Sequence, residues 1–133
     1  MNPGLTNALA LAGRILVALI FVISGYGKIG GFDGVAGYIG SKGLPFPQVL
    51  ASLTILLELG GGLLLMLGYK TRWVALLFFL WLIPTTLIFH AFWGLEPKAA
   101  QQMQIHFMKN MSIMGAMLLL VAYGPGAYSI DRR

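Results

Sequence analysis

A carboxylate in the middle of an apolar run is the first residue that demands a chemical explanation. Glu58 stands inside "LTILLELGGGLLLML", and a charge near the centre of a bilayer costs at least about 2.5–3.5 kcal/mol unless it is protonated, paired or hydrated. Two readings follow: an acid that handles protons beside a ligand, or an anchor between helices paired with Arg14 or a hydroxyl. His90, Lys109 and Asn110 supply an imidazole, an ammonium and an amide, the groups that hold and move protons in a dry site. His106, Lys109, Asn110 and Ile113 recur at helical spacing, which puts these polar groups on one helix face. That face is expected to point into a bundle, where Glu58 lies within reach of the long Lys109 side chain. His106 reads as a residue of the outer headgroup boundary. Tyr26 and Lys28 close the first apolar stretch at the same end and are candidate cofactor-binding groups.

Other patterns point away from chemistry. Met103, Met108, Met111, Met114 and Met117 carry soft thioethers, but their spacing fits no single stripe and methionine is a common filler of apolar packing. His90 and His106 have no carboxylate at ligand spacing, so no metal site is expected. Gly60, Gly61 and Gly62 lack the Lys and Ser or Thr that end a phosphate-cradling loop, and instead permit close helix approach in lipid. The chain has no cysteine, which excludes disulfides, thiolate nucleophiles and cysteine-ligated clusters built from this chain alone.

The elements that must position these residues are membrane spans. Hydrophobic residues make up 58% of the 133-residue chain and charged residues only 10%, against roughly 25% charged in an ordinary soluble domain. Four apolar segments, at about residues 9–25, 48–67, 73–92 and 105–123, approach the roughly 20 residues that cross a bilayer as helix. The fourth is long enough only if His106, Lys109 and Asn110 enter the bundle. The expected fold is an all-α, four-helix transmembrane bundle forming one domain. Between the first two spans, "GKIGGFDGVAGYIGSKGLPFP" is too polar to cross and too long for a tight hairpin. It reads as an interfacial or re-entrant segment whose Phe32, Tyr38 and Phe46 touch the membrane boundary. The short "GYKTR" loop makes the second and third spans antiparallel neighbours.

The net charge of +5 comes from dispersed bases, whereas nucleic-acid binding needs a clustered basic face. Arg14, Lys70, Arg72, Arg132 and Arg133 gather on the side of the termini, opposite Lys28, Lys42, Lys98 and Lys109. The first set reads as headgroup anchors, and the positive-inside bias places both termini in the cytoplasm.

Taken in order, "GRILVALIFVISGYGKIGGFDGVAGYI", "LELGGGLLLMLGYKTR", "IFH", "FMKNMSIMGAMLLL" and "GPGAYSIDRR" resemble the DoxX family of small bacterial inner-membrane proteins, over nearly the whole chain. Arg14, Gly25, Lys28, Glu58, Gly61, Arg72, His90, Lys109, Asn110, Gly124, Ser129 and Asp131 fall on that family's characteristic positions. The resemblance implies four inner-membrane helices. It also implies an association with redox complexes, since some relatives include the membrane subunit of a thiosulfate:quinone oxidoreductase. The sequence contains no nucleotide motif, haem attachment signature or cysteine set, so electrons for redox work are expected from a protein partner, with a membrane-dissolved quinone as the implied cofactor. Two other functions compete with this quinone-linked subunit: a non-catalytic partner of a membrane complex, and a small proton-linked carrier, for which four helices would need to associate as a homo-oligomer.

Overall fold

The computed structural model describes residues 1–132; Arg133, one of the tail bases counted above, lies outside the described residues. Four long helices run back and forth: α1 (Pro3–Gly30), α3 (Pro47–Leu67), α4 (Thr71–Phe89) and α5 (Pro97–Tyr123). A shorter helix, α2 (Phe32–Ser41), joins α1 to α3. Among the described residues there is no strand.

Local chemistry sets these boundaries. Proline occupies the first turn of α1, α3 and α5, where its missing N–H and fixed φ cost nothing. At the start of α1, the Asn2 side chain accepts the Gly4 N–H at 2.7 Å, satisfying one of the free amides of a helix N-terminus. Gly68 ends α3 with φ +71°, a left-handed conformation that side chains with a Cβ rarely adopt. α1 and α5 extend beyond the apolar stretches because a helix need not be apolar once it has left the hydrocarbon. α4 stops at Phe89, which makes His90 its cap rather than one of its turns.

The surface identifies the solvent. Leu16, Leu56, Trp73 and Leu119 are among many large apolar side chains left exposed around the bundle, far more than a soluble monomer tolerates. These faces meet lipid. Association between helices must then come from close packing and polar contacts, because lipid tails are as apolar as leucine. Accordingly, Ala18, Ala51 and Ala75 are fully buried and let backbones approach, while Phe78, Leu65, Leu82 and Met117 fill the centre. α1 packs along α3, and α4 packs along α5. A satellite cluster of Ala36, Ile39 and Ala51 seats α2 on the start of α3. The ends of α1 and α4, the starts of α3 and α5, and α2 therefore share the end of the bundle opposite the termini.

Candidate functional site

Glu58 sits in a wide π-type turn, Leu56–Gly61, within α3. Such a turn inserts a residue into the helical ladder and re-aims the side chains beside it, and it is common at functional sites. Here it turns Glu58, 4% exposed, toward α1. Gly25 makes the approach feasible: a Cβ at that position would stand 2.7 Å from the Leu59 amide nitrogen and 3.1 Å from Glu58 Cβ. One helical turn away on α1, the Lys28 ammonium donates to Glu58 Oε1 and forms a partly buried ion pair in which the acid is the buried partner.

Lys28 has a second environment. It lines a cavity of about 400 Å³ enclosed by the end of α1, α2, α3 and α4, with Tyr38, Thr54, Trp81, Thr85 and His90 among its walls. The remaining walls are apolar, including Leu50, Ile88 and Phe89. The volume lies within the range of small-molecule sites, as does the chemistry of a mostly apolar wall with a few polar groups. Pro84 lies in this wall, and its ring removes one helical hydrogen bond at that level. Beyond it, the Thr85 hydroxyl donates to the Trp81 carbonyl at 2.8 Å.

His90 caps α4, its backbone N–H bonding Thr86 O at 3.1 Å. Its ring stacks on that of His106, with centroids 5.4 Å apart. Burial, followed by the neighbouring basic groups Lys109, His106, Lys28 and Lys42, holds the His90 imidazole below its ordinary range. It is therefore neutral at neutral pH, with one ring nitrogen a donor and the other an acceptor. Its Nδ1 is buried and has no hydrogen-bond partner among the described residues.

The four residues expected to form one polar cluster separate in the structure. Glu58 pairs with Lys28, not with Lys109 or Arg14. Asn110 is buried and donates to Thr86 Oγ1 at 3.1 Å, tying α5 to α4. Lys109 and His106 are exposed. The reason is angular: consecutive residues on a helix point about 100° apart, so Lys109 and Asn110 cannot share a narrow buried stripe, and the shorter neutral amide takes it. Tyr26 is 73% exposed and stands outside the cavity wall, whereas Lys28 belongs to it. Sequence reasoning missed Tyr38, Thr54, Trp81 and Thr85 as wall residues. The proline at position 84, followed directly by threonine, was the local signal that this part of α4 departs from plain lipid contact.

Arg14 also departs from expectation. It is not a headgroup anchor: it is 2% exposed, and its guanidinium donates to Pro125 O at 2.6 Å, Tyr128 O at 2.9 Å and Met66 O at 3.1 Å. The segment after α5 is thereby drawn across the ends of α1 and α3. Asp131 continues the clamp, accepting the Lys70 and Thr71 backbone N–H groups at 3.0 and 2.9 Å, where the positive end of α4 favours a carboxylate. The backbone N–H groups of Ile130 and Asp131 bond Leu67 O and Gly68 O. Planar forked donors suit a hub of carbonyls better than an ammonium would.

Comparison with known proteins agrees with this architecture. The DoxX family profile matches residues 9–91. Inner membrane protein YphA of Escherichia coli (strain K12) is 43% identical over 125 residues, covering 94% of this chain and 89% of that protein. Inner membrane protein YqjF of the same organism is 41% identical over 122 residues, covering 92% and 88%. CatD of Bacillus subtilis (strain 168), named provisionally as an oxidoreductase, is 39% identical over 70 residues, covering 53% of this chain and 51% of its own. No solved structure matches.

Proposed function

Because the chain belongs to the DoxX family and is a multi-pass inner-membrane protein, we propose that it is the membrane subunit of a quinone-linked redox system and binds a quinone-type ring in the cavity between α1, α2, α3 and α4. One observation carries this reading: Lys28 is bonded to the buried Glu58 and also lines an apolar cavity together with His90. The name of CatD points in the same direction. His90 adds an imidazole to the same wall, a ring that offers one donor and one acceptor to a ligand with polar oxygens.

When bound, the quinone supplies an acceptor for two electrons and two protons. Trp81 and Tyr38 hold the ring, and Lys28 and His90 donate to its oxygens. Donors placed in a dry wall stabilise charge as it develops there. Glu58, bonded to the Lys28 ammonium, orients it at the cavity wall and is the acid that handles the proton. α2 lies at the membrane interface and closes the cavity from above. Lys109 and Asn110 support His90 from α5, one by charge and the other by fixing Thr86 a turn before it. A protein partner delivers the electrons. Both termini lie in the cytoplasm, so the cavity opens toward the outer leaflet. A reporter fused after Arg133 is expected to work in the cytoplasm; activity only outside it reverses the orientation.

The test is native purification with identification of copurifying lipophilic cofactors and proteins, together with quinone-linked activity in a deletion strain. The expected result is a bound quinone and a redox partner. Purified protein that binds no quinone, with unchanged activity in the deletion strain, overturns the reading. A second reading rests on the same ion pair: Lys28 and Glu58 join α1 to α3, so the protein serves as a packing partner in a membrane complex. In that case Glu58→Gln lowers stability or assembly and leaves every redox activity intact.

A further inference from the structure

The charge around the cavity specifies its ligand beyond a lipophilic ring; the argument rests on the preceding reading that the cavity holds one. Lys28 carries three N–H donors, and the structure gives one of them to Glu58. Lys42 lies over the ring of Tyr38, a wall residue, with its ammonium 5.5 Å from the ring centroid. The groups acting on His90 are Lys109, His106, Lys28 and Lys42, all of them basic residues. Glu58 is the acid bonded at this wall, and Lys28 balances it. Lys42, over the Tyr38 ring, and Lys109, acting on His90, are both exposed, and they leave a positive surplus beside the cavity that is strongest at low ionic strength. A neutral ring would leave that surplus uncompensated.

We propose that the cavity selects a lipophilic ring acid in its anionic form: an apolar body seated against Leu50 and Ile88, and an ionised ring oxygen, phenolate or enolate, held by Lys28 and Lys42 beside His90. The spare Lys28 donors reach that oxygen without breaking the bond to Glu58. Charge-assisted hydrogen bonds are roughly twice as strong as neutral ones, so ionisation of the ligand, rather than its ring alone, sets the affinity.

Trp81 in the wall provides a local readout. Trp73 and Trp93 are 73% and 59% exposed, so replacing both with phenylalanine leaves Trp81 as the sole tryptophan of the full chain. Two probes are titrated against this protein in detergent: an alkylated hydroxynaphthoquinone, ionised at neutral pH, and its neutral methyl ether. Saturable quenching is expected for both, with the anion bound roughly tenfold more tightly. Lys42→Gln, at an exposed position that leaves the bundle packing intact, is expected to remove most of that preference. Glu58→Gln, which frees Lys28, is expected to enlarge it. An ether that binds as tightly as the anion, or a preference indifferent to Lys42→Gln, overturns the proposal while leaving quinone binding in place. Absence of saturable quenching by either probe overturns quinone binding and this proposal together.

Discussion

The two ends of the bundle bury charge in different ways. At the end that carries the termini, Arg14 donates to three carbonyls from two separate segments, and Asp131 closes two amides at the start of α4. Although Arg14 Nε and Thr71 Oγ1 have no partner among the described residues, the strong donors and acceptors face one another across contacts between distant parts of the chain. At the opposite end, Lys28 and Glu58 satisfy each other through a single contact. Among the described residues Lys28 bonds Glu58 with one of its three donors, and it lines an apolar cavity together with His90. The comparison separates two uses of a costly feature. A buried charge surrounded by its own chain's carbonyls fixes the fold, whereas one left with spare bonding capacity beside an apolar cavity can recognise something else.

Disrupting the clamp is expected to have the largest effect. Arg14→Ala leaves three carbonyls without their charged donor, and a hydrogen bond to a charged group is worth about 1.5–3 kcal/mol. Unfolding in mixed micelles should show this loss, with only part of it recovered in Arg14→Lys. Gly68→Ala comes next. Its φ of +71° strains any side chain, and a Cβ there would lie 2.3 Å from Ser129 Cβ. Strain of about 1–3 kcal/mol is expected, read as a lower unfolding midpoint with ligand affinity unchanged in the folded fraction.

Changes at the opposite end should reverse that pattern, affecting binding more than folding. Gly25→Ala pushes α1 away from the turn that carries Glu58, so quinone affinity should fall by about tenfold or more, the scale of one lost charged hydrogen bond. Gly27→Ala, with nothing within 4 Å of the added Cβ, should change neither binding nor stability. Asn110→Leu removes a buried hydrogen bond and strands Thr86, for a loss of about 1 kcal/mol. The smallest effect is expected of Lys109→Gln, an exposed change worth within about 0.5 kcal/mol in stability. A large loss on Lys109→Gln would restore it to the buried cluster from which the structure excludes it.

Much of this contrast was legible in the sequence, for specific reasons. The spans were readable because apolar runs of bilayer length admit few structures other than helices. Glu58, Lys28 and His90 were readable as chemical candidates because ionisable groups beside or within such runs are costly. Pairing was less legible, since it depends on the wide turn in α3, and nothing local in "LLELGG" distinguishes a π-type turn from an α-helical one. Helical spacing brought Lys109 and Asn110 to one side of α5, but it could not show that the buried stripe is too narrow for both. Arg14 was misread as a headgroup anchor because its partners are carbonyls more than 50 positions away, and backbone acceptors leave no mark on residue type. The cavity arises from the way α2 folds back onto α3, a tertiary outcome that the glycine-rich segment permits but does not announce.

The proposed binding end is the one opposite the termini, not the Arg14 clamp. That placement is tested most directly by titrating a short-chain quinone against the full chain whose sole tryptophan is Trp81, unaltered and with His90→Phe or Lys28→Met. Saturable quenching that weakens by roughly tenfold in either variant, while both variants stay folded, is the predicted result. Quenching that does not saturate, or that is the same in all three proteins, contradicts it.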